Sequence, residues 1–286
     1  MERTARALFI FQILICVTVR NFLASSFAPI ANTVGARRYR LFRMKSSLSA
    51  KDLKNLSSGK IIGPEIPSVE VSSKRLFLVR HGEVINPGGD RPVYYGALDV
   101  SLSPLGEAEA KAAAMYLEQF DLDLVVSSPL SRAVYGAEQV LSLQKDLDTP
   151  VVRMEGFKEL DRGSWCGKTK EEIGLEAMAK FDACDESVTP EGGESYPFLK
   201  TRVLEDRDAV LDGLPAGGTA AIVSHLQVTR SMLSDALGIP TAKMAGLGIA
   251  TASVTCIDYN PDGSQTVHFQ SFKPDVGLEK SVDGAN

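Results

Sequence analysis

The sequence has 286 residues, enough for one large domain or two small ones, and 44% of them are hydrophobic, as is ordinary for a globular protein. Its net charge of −5 argues against a nucleic-acid-binding protein, which normally carries a basic face. The four cysteines are scattered and form no CxxC pair, so they predict neither a disulfide framework nor a zinc site.

The first 50 residues have the composition of a targeting segment. Residues 3–50 contain no Asp or Glu but seven Arg, one Lys and five Ser, a pattern typical of presequences rather than folded domains. The apolar run at 7–19 is shorter than the roughly 20 residues that a membrane-spanning helix needs, and it has the length of a signal-peptide core. We therefore expect a signal peptide over residues 1–26 and a transit-peptide-like segment over residues 27–50.

The junction between these two parts reads LASSFAP. It resembles the bipartite plastid presequence of algae with secondary plastids, in which a signal peptide is cleaved just before a Phe that begins the transit peptide. The resemblance implies cleavage before Phe27 and delivery to the plastid stroma, with the secretory pathway as the alternative. No membrane association is expected of the mature protein.

The remaining chain predicts one α/β domain. Residues 51–73 are polar with Gly and Pro, so we expect a linker there, a folded domain over 74–275 and a flexible tail over 276–286. Short apolar runs and apolar periodicity predict strands at 76–79, 124–127, 151–153, 220–223, 251–259 and 265–272, and helices at 104–120, 129–144, 168–181, 195–214 and 226–237. Their alternation predicts a three-layer α/β/α sandwich with a mostly parallel central sheet.

The first predicted strand ends in the triplet Arg80-His81-Gly82, and ligands of open α/β sheets bind at the carboxyl ends of strands. Further along come YYGALDVSLSPLGEAEA, VVSSPLSRA, ELDRGSWCG, PEGGES and AAIVSHLQVTR. Together, and in this order, these segments resemble the motifs of the histidine phosphatase superfamily. The resemblance extends from residue 75 to about residue 272. It implies a phosphoglycerate-mutase-like fold and a covalent mechanism in which His81 is the nucleophile.

The same resemblance implies the other site residues. They are His81, Glu159 and His225 as catalytic groups, and Arg80, Arg132 and Asn86 as ligands of the substrate phosphate. Asn86 departs from the family's pattern by one position, because Pro87 stands where the family often has Asn.

These residue types suit phosphoryl transfer. The transition state spreads negative charge over three oxygens, which two arginines and a second histidine can contact through hydrogen bonds. Clustered positive charge also lowers the pKa of a neighbouring histidine, so that His81 can be neutral and nucleophilic near pH 7. Glu159 can protonate the leaving alkoxide and then deprotonate the attacking water. No metal-ligand spacing is present, and we expect neither a metal nor a cofactor.

Several neighbouring residues leave alternatives open. Asp161 is a rival to the family's glutamate as the acid, because it lies only two residues further along. Trp165 is either a core aromatic or a wall of the pocket, and Cys166 is either a redox handle or an inert buried thiol. Leu226 replaces a family Gly and should narrow that wall. His268 lies in a predicted strand and is expected to be structural.

The sequence favours a phosphatase over a mutase. Cofactor-dependent phosphoglycerate mutases have Arg-His directly after the acid and a longer insert, whereas Leu160-Asp161 follows Glu159 here. Residues 171–186 are acidic, although a bisphosphate would require additional basic groups. The expected partner is a small phosphate ester such as a sugar phosphate, and no nucleic acid. The alternatives are a mutase and a binding module without catalysis, the latter disfavoured because every catalytic position is filled.

Overall fold

The structure, a computed structural model, describes residues 61, 63–276 and 284–285. The expected signal peptide and transit-peptide-like segment lie outside the described residues. Residues 63–73, assigned to a linker from the sequence, lie against the domain: the hydroxyl of Tyr116 donates to the carbonyl of Pro64 at 3.1 Å, and Arg75 donates to the carbonyl of Pro67 at 2.8 Å. Within the described residues, no helix combines the length and the apolar character needed to span a membrane.

The described strands are β1 (Lys74–Arg80), β2 (Val84–Ile85), β3 (Leu124–Ser127), β4 (Val152–Arg153), β5 (Thr219–Ser224), β6 (Val254–Tyr259), β7 (Gln265–Phe272) and β8 (Gly284–Ala285). One six-stranded sheet has the order β4-β3-β5-β1-β6-β7, and β2 pairs with β8 outside it. Neighbours from β4 to β1 are parallel, while β6 is antiparallel to both β1 and β7. The sheet is therefore mostly parallel, as the sequence predicts.

The described α-helices are α1 (Pro104–Leu117), α2 (Ser131–Ser142), α3 (Lys170–Ile173), α4 (Leu175–Asp182), α5 (Tyr196–Gly213) and α6 (Leu226–Ala236). Helix α1 begins where Ser103 caps it, because the Ser103 hydroxyl accepts a hydrogen bond from the Gly106 amide at 3.0 Å and Pro104 occupies the first turn. The single helix predicted over 168–181 is wrong. It is broken into α3 and α4 by Gly174, whose φ of +93° is not helical and favours glycine.

Helices cover both faces of the sheet. Phe77 and Val79 of β1 belong to one buried cluster with Ala113 of α1 and Ala137 of α2. On the other face, α6 packs against β1, and α5 packs against α6. Since both faces are covered, β1 and β5 are buried along almost their whole length, which explains their continuous apolar sequences. The three-layer α/β/α sandwich predicted from the sequence is confirmed.

The register of the central strands places the candidate site. Arg80 at the end of β1 pairs with Ser224 at the end of β5, and β3 pairs in parallel with the other side of β5. The carboxyl ends of these three strands therefore lie at one edge of the sheet. The residues that directly follow the three ends are His81, His225 and Ser128.

Candidate active site

His81 is buried and held in one orientation. Its Nδ1 lies 2.7 Å from the carbonyl oxygen of Gly82, which can only accept a hydrogen bond. Nδ1 therefore carries the hydrogen, and the lone pair is on Nε2. Burial lowers the pKa of His81 well below its usual value of 6.5, and the charges of Arg132 and Arg80 lower it further. His81 is thus neutral near pH 7, with a nucleophilic nitrogen available.

Close backbone packing explains why the third residue of the Arg-His-Gly triplet is glycine. A Cβ added to Gly82 would lie 2.1 Å from the carbonyl oxygen of Gly106, and a Cβ added to Gly106 would lie 1.9 Å from the carbonyl oxygen of Glu83. The first turn of α1 thus approaches the loop after β1 backbone to backbone. Only glycine fits at either position, and this close approach fixes the loop that carries His81.

His225 lies beside His81, with the ring centroids 5.1 Å apart. Its Nε2 lies 2.7 Å from the hydroxyl oxygen of Ser128, and that oxygen also accepts from the amide of Leu130. The Ser128 hydroxyl hydrogen can therefore be donated to Nε2, which places the hydrogen of His225 on Nδ1. Burial and the charges of Arg132 and Arg80 lower the pKa of His225 well below its usual value, so it is a neutral donor near pH 7.

Two buried arginines complete the positive side of the site. Arg80 donates from Nη1 to the carbonyl of Ile249 at 2.6 Å. Arg132, on α2, donates to the carbonyls of Leu98 and Gly96 at 2.6 and 2.8 Å. Burial lowers the pKa of both guanidinium groups, but arginine stays charged in proteins. Among the described residues, neither has a carboxylate within ion-pair distance.

Three of the donors around His81 are left without a partner. The Nε atoms of Arg80 and Arg132 and the Nδ1 of His225 are buried and have no hydrogen-bond partner in the described part of the chain. Buried polar groups in native proteins are nearly always paired, and each exception requires an explanation. A phosphate bound against the Nε2 of His81 would supply acceptors for all three donors.

Glu159 is the candidate general acid of the site. It is nearly buried, and its carboxylate accepts from the amides of Leu160 at 2.8 Å and Gln227 at 3.4 Å. Its rival Asp161 is exposed, does not line the cleft, and accepts instead from the amide of Gly163 at 2.9 Å. Of the two acids, only Glu159 is placed to contact a substrate.

The site opens into a cleft of about 860 Å³. Arg80, His81, Asn86 and Glu159 are among its lining residues, whereas Arg132 and His225 are buried and are not among them. A volume of this size accommodates a small metabolite rather than a bare phosphate ion. In the described residues, no group of three or more His, Cys, Asp or Glu side chains is arranged to hold a metal ion.

A family model for the histidine phosphatase superfamily (branch 1) matches residues 76–271 of the chain. The chain belongs to the histidine phosphatase superfamily. Every residue of the site described above lies within the matched range. The family resemblance of the sequence motifs is thereby confirmed.

Phosphatases and mutases both occur among the relatives of this family member. Phosphoserine phosphatase 1 of Hydrogenobacter thermophilus is 33% identical over 64% of this chain and 85% of its own length. A 2,3-bisphosphoglycerate-dependent phosphoglycerate mutase of Cytophaga hutchinsonii is 28% identical over 65% of this chain and 87% of its own. A bifunctional protein of Mycobacterium tuberculosis is 31% identical over 68% of this chain, which spans about half (52%) of that relative's length.

Solved structures share the architecture. The mycobacterial glucosyl-3-phosphoglycerate phosphatase superposes with a TM-score of 0.60, at 26% identity, over 70% of this chain and 100% of its own. The phosphoglycerate-mutase-like fold is confirmed.

The structure gives Asn86 a local role. Its side-chain oxygen accepts from the amides of Gly88 and Val93, and its amide nitrogen donates to the carbonyl of Val93. Asn86 lines the cleft, but these bonds make it a clamp of the loop 86–93. Its predicted phosphate contact remains a prediction. Leu226, in contrast, does line the wall that the sequence assigns to it.

The remaining alternatives divide between the cleft and the core. Trp165 is buried, does not line the cleft, and packs against Phe181 with ring centroids 5.2 Å apart, so it is a core aromatic. Cys166 is half-buried and burial raises the pKa of its thiol, the opposite of an activated cysteine. His268 hydrogen-bonds Asp258 at 2.8 Å near the other end of β1, which fits the structural role expected of it.

Three residues of the site region were missed by the sequence reasoning. Ser128 orients His225, and Arg162 and Arg230 both line the cleft. Ser128 and Arg162 lie inside the motifs VVSSPLSRA and ELDRGSWCG, so their proximity to the site could have been suspected. Arg230, on α6, is the last residue of the motif AAIVSHLQVTR, so it too could have been suspected.

Proposed function

We propose that this protein is a metal-independent phosphomonoesterase that hydrolyses a small phosphorylated metabolite through a phosphohistidine on His81. The proposal rests chiefly on the arrangement around one atom. The Nε2 of a neutral His81 is free, and three unpaired N–H donors lie around this histidine. That combination suits an attack on a phosphorus whose oxygens need stabilisation.

In the first step, the Nε2 lone pair of His81 attacks phosphorus and the bond to the ester oxygen breaks. Arg80, Arg132 and the Nδ1 of His225 donate to the three phosphoryl oxygens, where negative charge accumulates. Glu159, in its acid form, gives its proton to the leaving alkoxide. The products are the free alcohol, phospho-His81 and the Glu159 carboxylate.

In the second step, water replaces the alcohol. The Glu159 carboxylate takes a proton from water as its oxygen attacks phosphorus, and the bond to Nε2 breaks. The bonding electrons return to Nε2 as its lone pair. The site is thereby restored with inorganic phosphate bound, and neither a metal ion nor a redox partner is needed for the balance.

A mutase is the second candidate, because the relatives include one. It would return the phosphoryl group to a substrate oxygen instead of transferring it to water. Among the described cleft residues, the wall from the 170–186 segment contributes Lys170 and the two acids Glu171 and Asp182, so its net negative charge disfavours a tightly held bisphosphate. This charge distribution supports the phosphatase.

Phosphatase and mutase activities are distinguished by identifying the phosphorus-containing products. The protein is incubated in EDTA with a panel of phosphorylated three- to six-carbon metabolites, and the products are followed by 31P NMR. The phosphatase predicts inorganic phosphate as the main product. Positional isomers of the ester without phosphate release would establish the mutase, and no change in any ester would leave only the binding module.

We also propose that the enzyme acts in the plastid stroma, with the secretory pathway as the alternative. The support is the sequence of residues 1–50, which lie outside the described residues. Sequencing the N-terminus of the native protein tests this proposal. A start between residues 51 and 73 is expected, and an intact Met1 would contradict it.

A further inference from the structure

Arg162 is a buried arginine without a polar partner. Its side chain makes no hydrogen bond or ion pair with any described residue, and its buried Nη1 is unsatisfied. The aromatic rings of Tyr94 and Phe181 lie 4.9 and 5.4 Å from the guanidinium carbon. Rings hold a guanidinium in place through its faces and leave its N–H edge free to donate.

Other arginines of the domain show that this arrangement is unusual. Arg75 is ion-paired with Asp258, Arg207 with Asp235, and Arg202 with Glu194. The buried arginines without a carboxylate, within the described chain, are Arg80, Arg132 and Arg162. Two of these three surround the proposed phosphate position, and the third lines the same cleft.

Arg230 lines the same cleft as Arg162. It donates to the carbonyl of Leu247 at 2.7 Å and only weakly to Gln227, at 3.5 Å. Burial lowers the pKa of Arg230, the charges of Glu159 and Asp182 oppose this, and the charge of Arg162 adds to it. Two guanidinium groups that line one cleft offer several N–H donors to an anion.

We propose that Arg162 and Arg230 bind a second acidic group of the substrate, so that the substrate is a phosphomonoester carrying a carboxylate. This inference rests on the proposed phosphatase function and specifies its substrate class. This second subsite accounts for the unsatisfied Nη1 of Arg162, which the proposed phosphate contacts of Arg80, Arg132 and His225 do not explain. The phosphate itself is bound by Arg80, Arg132 and His225.

A carboxylate is favoured over a second phosphate by the charges nearby. Asp182 also lines the cleft, accepts from the hydroxyl of Tyr196 at 3.1 Å, and is among the charges acting on Arg230. A second phosphate would bring up to two negative charges towards this carboxylate, whereas a substrate carboxylate brings one. The planar fork of arginine also matches a carboxylate in a bidentate geometry.

The test uses three series of substrates that differ in one group. ω-Phosphorylated carboxylic acids of two to five carbons are compared with n-alkyl phosphates and with α,ω-diol bisphosphates of the same lengths, as phosphate release from the purified full chain. At the best length we expect kcat/KM for the carboxylate to exceed that for the alkyl phosphate at least about tenfold, as a charged hydrogen bond contributes.

Substitutions of Arg162 and Arg230 test whether these residues cause the preference for carboxylate-bearing esters. Arg162→Met and Arg230→Met should each reduce the ratio of the two kcat/KM values by about tenfold, and Arg162→Lys should retain part of it because its charge remains. The ratio is insensitive to the fraction of active enzyme, so partial misfolding does not imitate the result. Arg153→Met, an exposed arginine on β4, should leave the ratio unchanged.

The outcomes separate the two proposals. Turnover of esters without any preference for the carboxylate, or a preference that survives in both Met variants, overturns the second subsite while the phosphatase stands. A preference for the bisphosphate that Arg162→Met removes overturns the assignment of a carboxylate. Absence of turnover on every ester contradicts the phosphatase itself.

Discussion

The Nδ1 of His81 donates a hydrogen bond of 2.7 Å to the carbonyl of Gly82, the next residue in the chain. One backbone carbonyl thus decides which nitrogen of the ring can attack phosphorus. Gly82 can hold that position because α1 touches its backbone at Gly106, where no side chain fits. Gly82 therefore supports the attack by His81 indirectly: its close packing against Gly106 positions the carbonyl that fixes the tautomer of His81.

The role of Glu159 as general acid is tested by comparing hydrolysis rates of esters with poor and good leaving groups. Glu159→Gln should slow hydrolysis of alkyl phosphates about a hundredfold but hydrolysis of nitrophenyl phosphate much less, because a good leaving group needs little protonation. Steady-state kinetics on both substrates measure the difference. Asp161→Asn is the matched control, since Asp161 is exposed outside the cleft, and it should change neither rate. Equal losses on both substrates in Glu159→Gln would reduce Glu159 to a structural role.

Ser128 is a positioning residue for His225. Removing its hydroxyl in Ser128→Ala should lower kcat about tenfold, because His225 loses the contact that keeps the hydrogen on Nδ1. Nitrogen NMR of labelled histidine should show the Nδ1–H tautomer of His225 in the wild type and a mixture in the variant. Ser142→Ala, whose hydroxyl is exposed, serves as the control. An unchanged His225 spectrum in Ser128→Ala would rule out this role.

The two buried histidines predict how stability depends on pH. Both have a pKa well below 6.5 in the folded protein, whereas in the unfolded chain they titrate near 6.5. Below about pH 6.5 the unfolded chain therefore binds more protons than the folded one. The free energy of unfolding should fall as the pH falls, by up to about 1.4 kcal/mol per pH unit for each histidine.

Urea unfolding between pH 7.5 and 5 measures this dependence. The double variant His81→Asn, His225→Gln should show a flatter curve over this range than the wild type, because it lacks both groups that must be neutral in the fold. The comparison uses differences in slope, so a lower overall stability of the variant does not matter. Equal slopes in the two proteins would show that the histidines do not resist protonation.

Much of the fold and the centre of the site follows from local signals. Leu124–Ser127 and Gln265–Phe272 were predicted with their observed bounds, because apolar runs between turn residues define strands locally. His81 and His225 directly follow strands of this kind, so their place at the edge of the sheet was predictable. The strand predicted from residue 251 begins only at Val254, because the backbone at Ala252 has a positive φ of 49°.

The residues that line the cleft around the proposed substrate could not be predicted from such local signals. Residues 171–186 are acidic in the sequence, yet of these acids only Glu171 and Asp182 line the cleft. Arg162 and Arg230 meet there through tertiary folding of distant segments, and the rings that hold Arg162 come from two further places in the chain. Both arginines lie inside the motif segments ELDRGSWCG and AAIVSHLQVTR, but periodicity and spacing do not show that their side chains line one cleft.

The most direct test of the mechanism is to trap the phosphoenzyme. Full-length protein is mixed with a 32P-labelled ester in EDTA, quenched in acid or base, and digested for peptide mapping. We expect about one phosphate per chain that is labile in acid and stable in base, on the peptide containing His81, and none in His81→Ala, whose circular dichroism should match the wild type. Full turnover by His81→Ala, or a strict requirement for magnesium, would contradict the account.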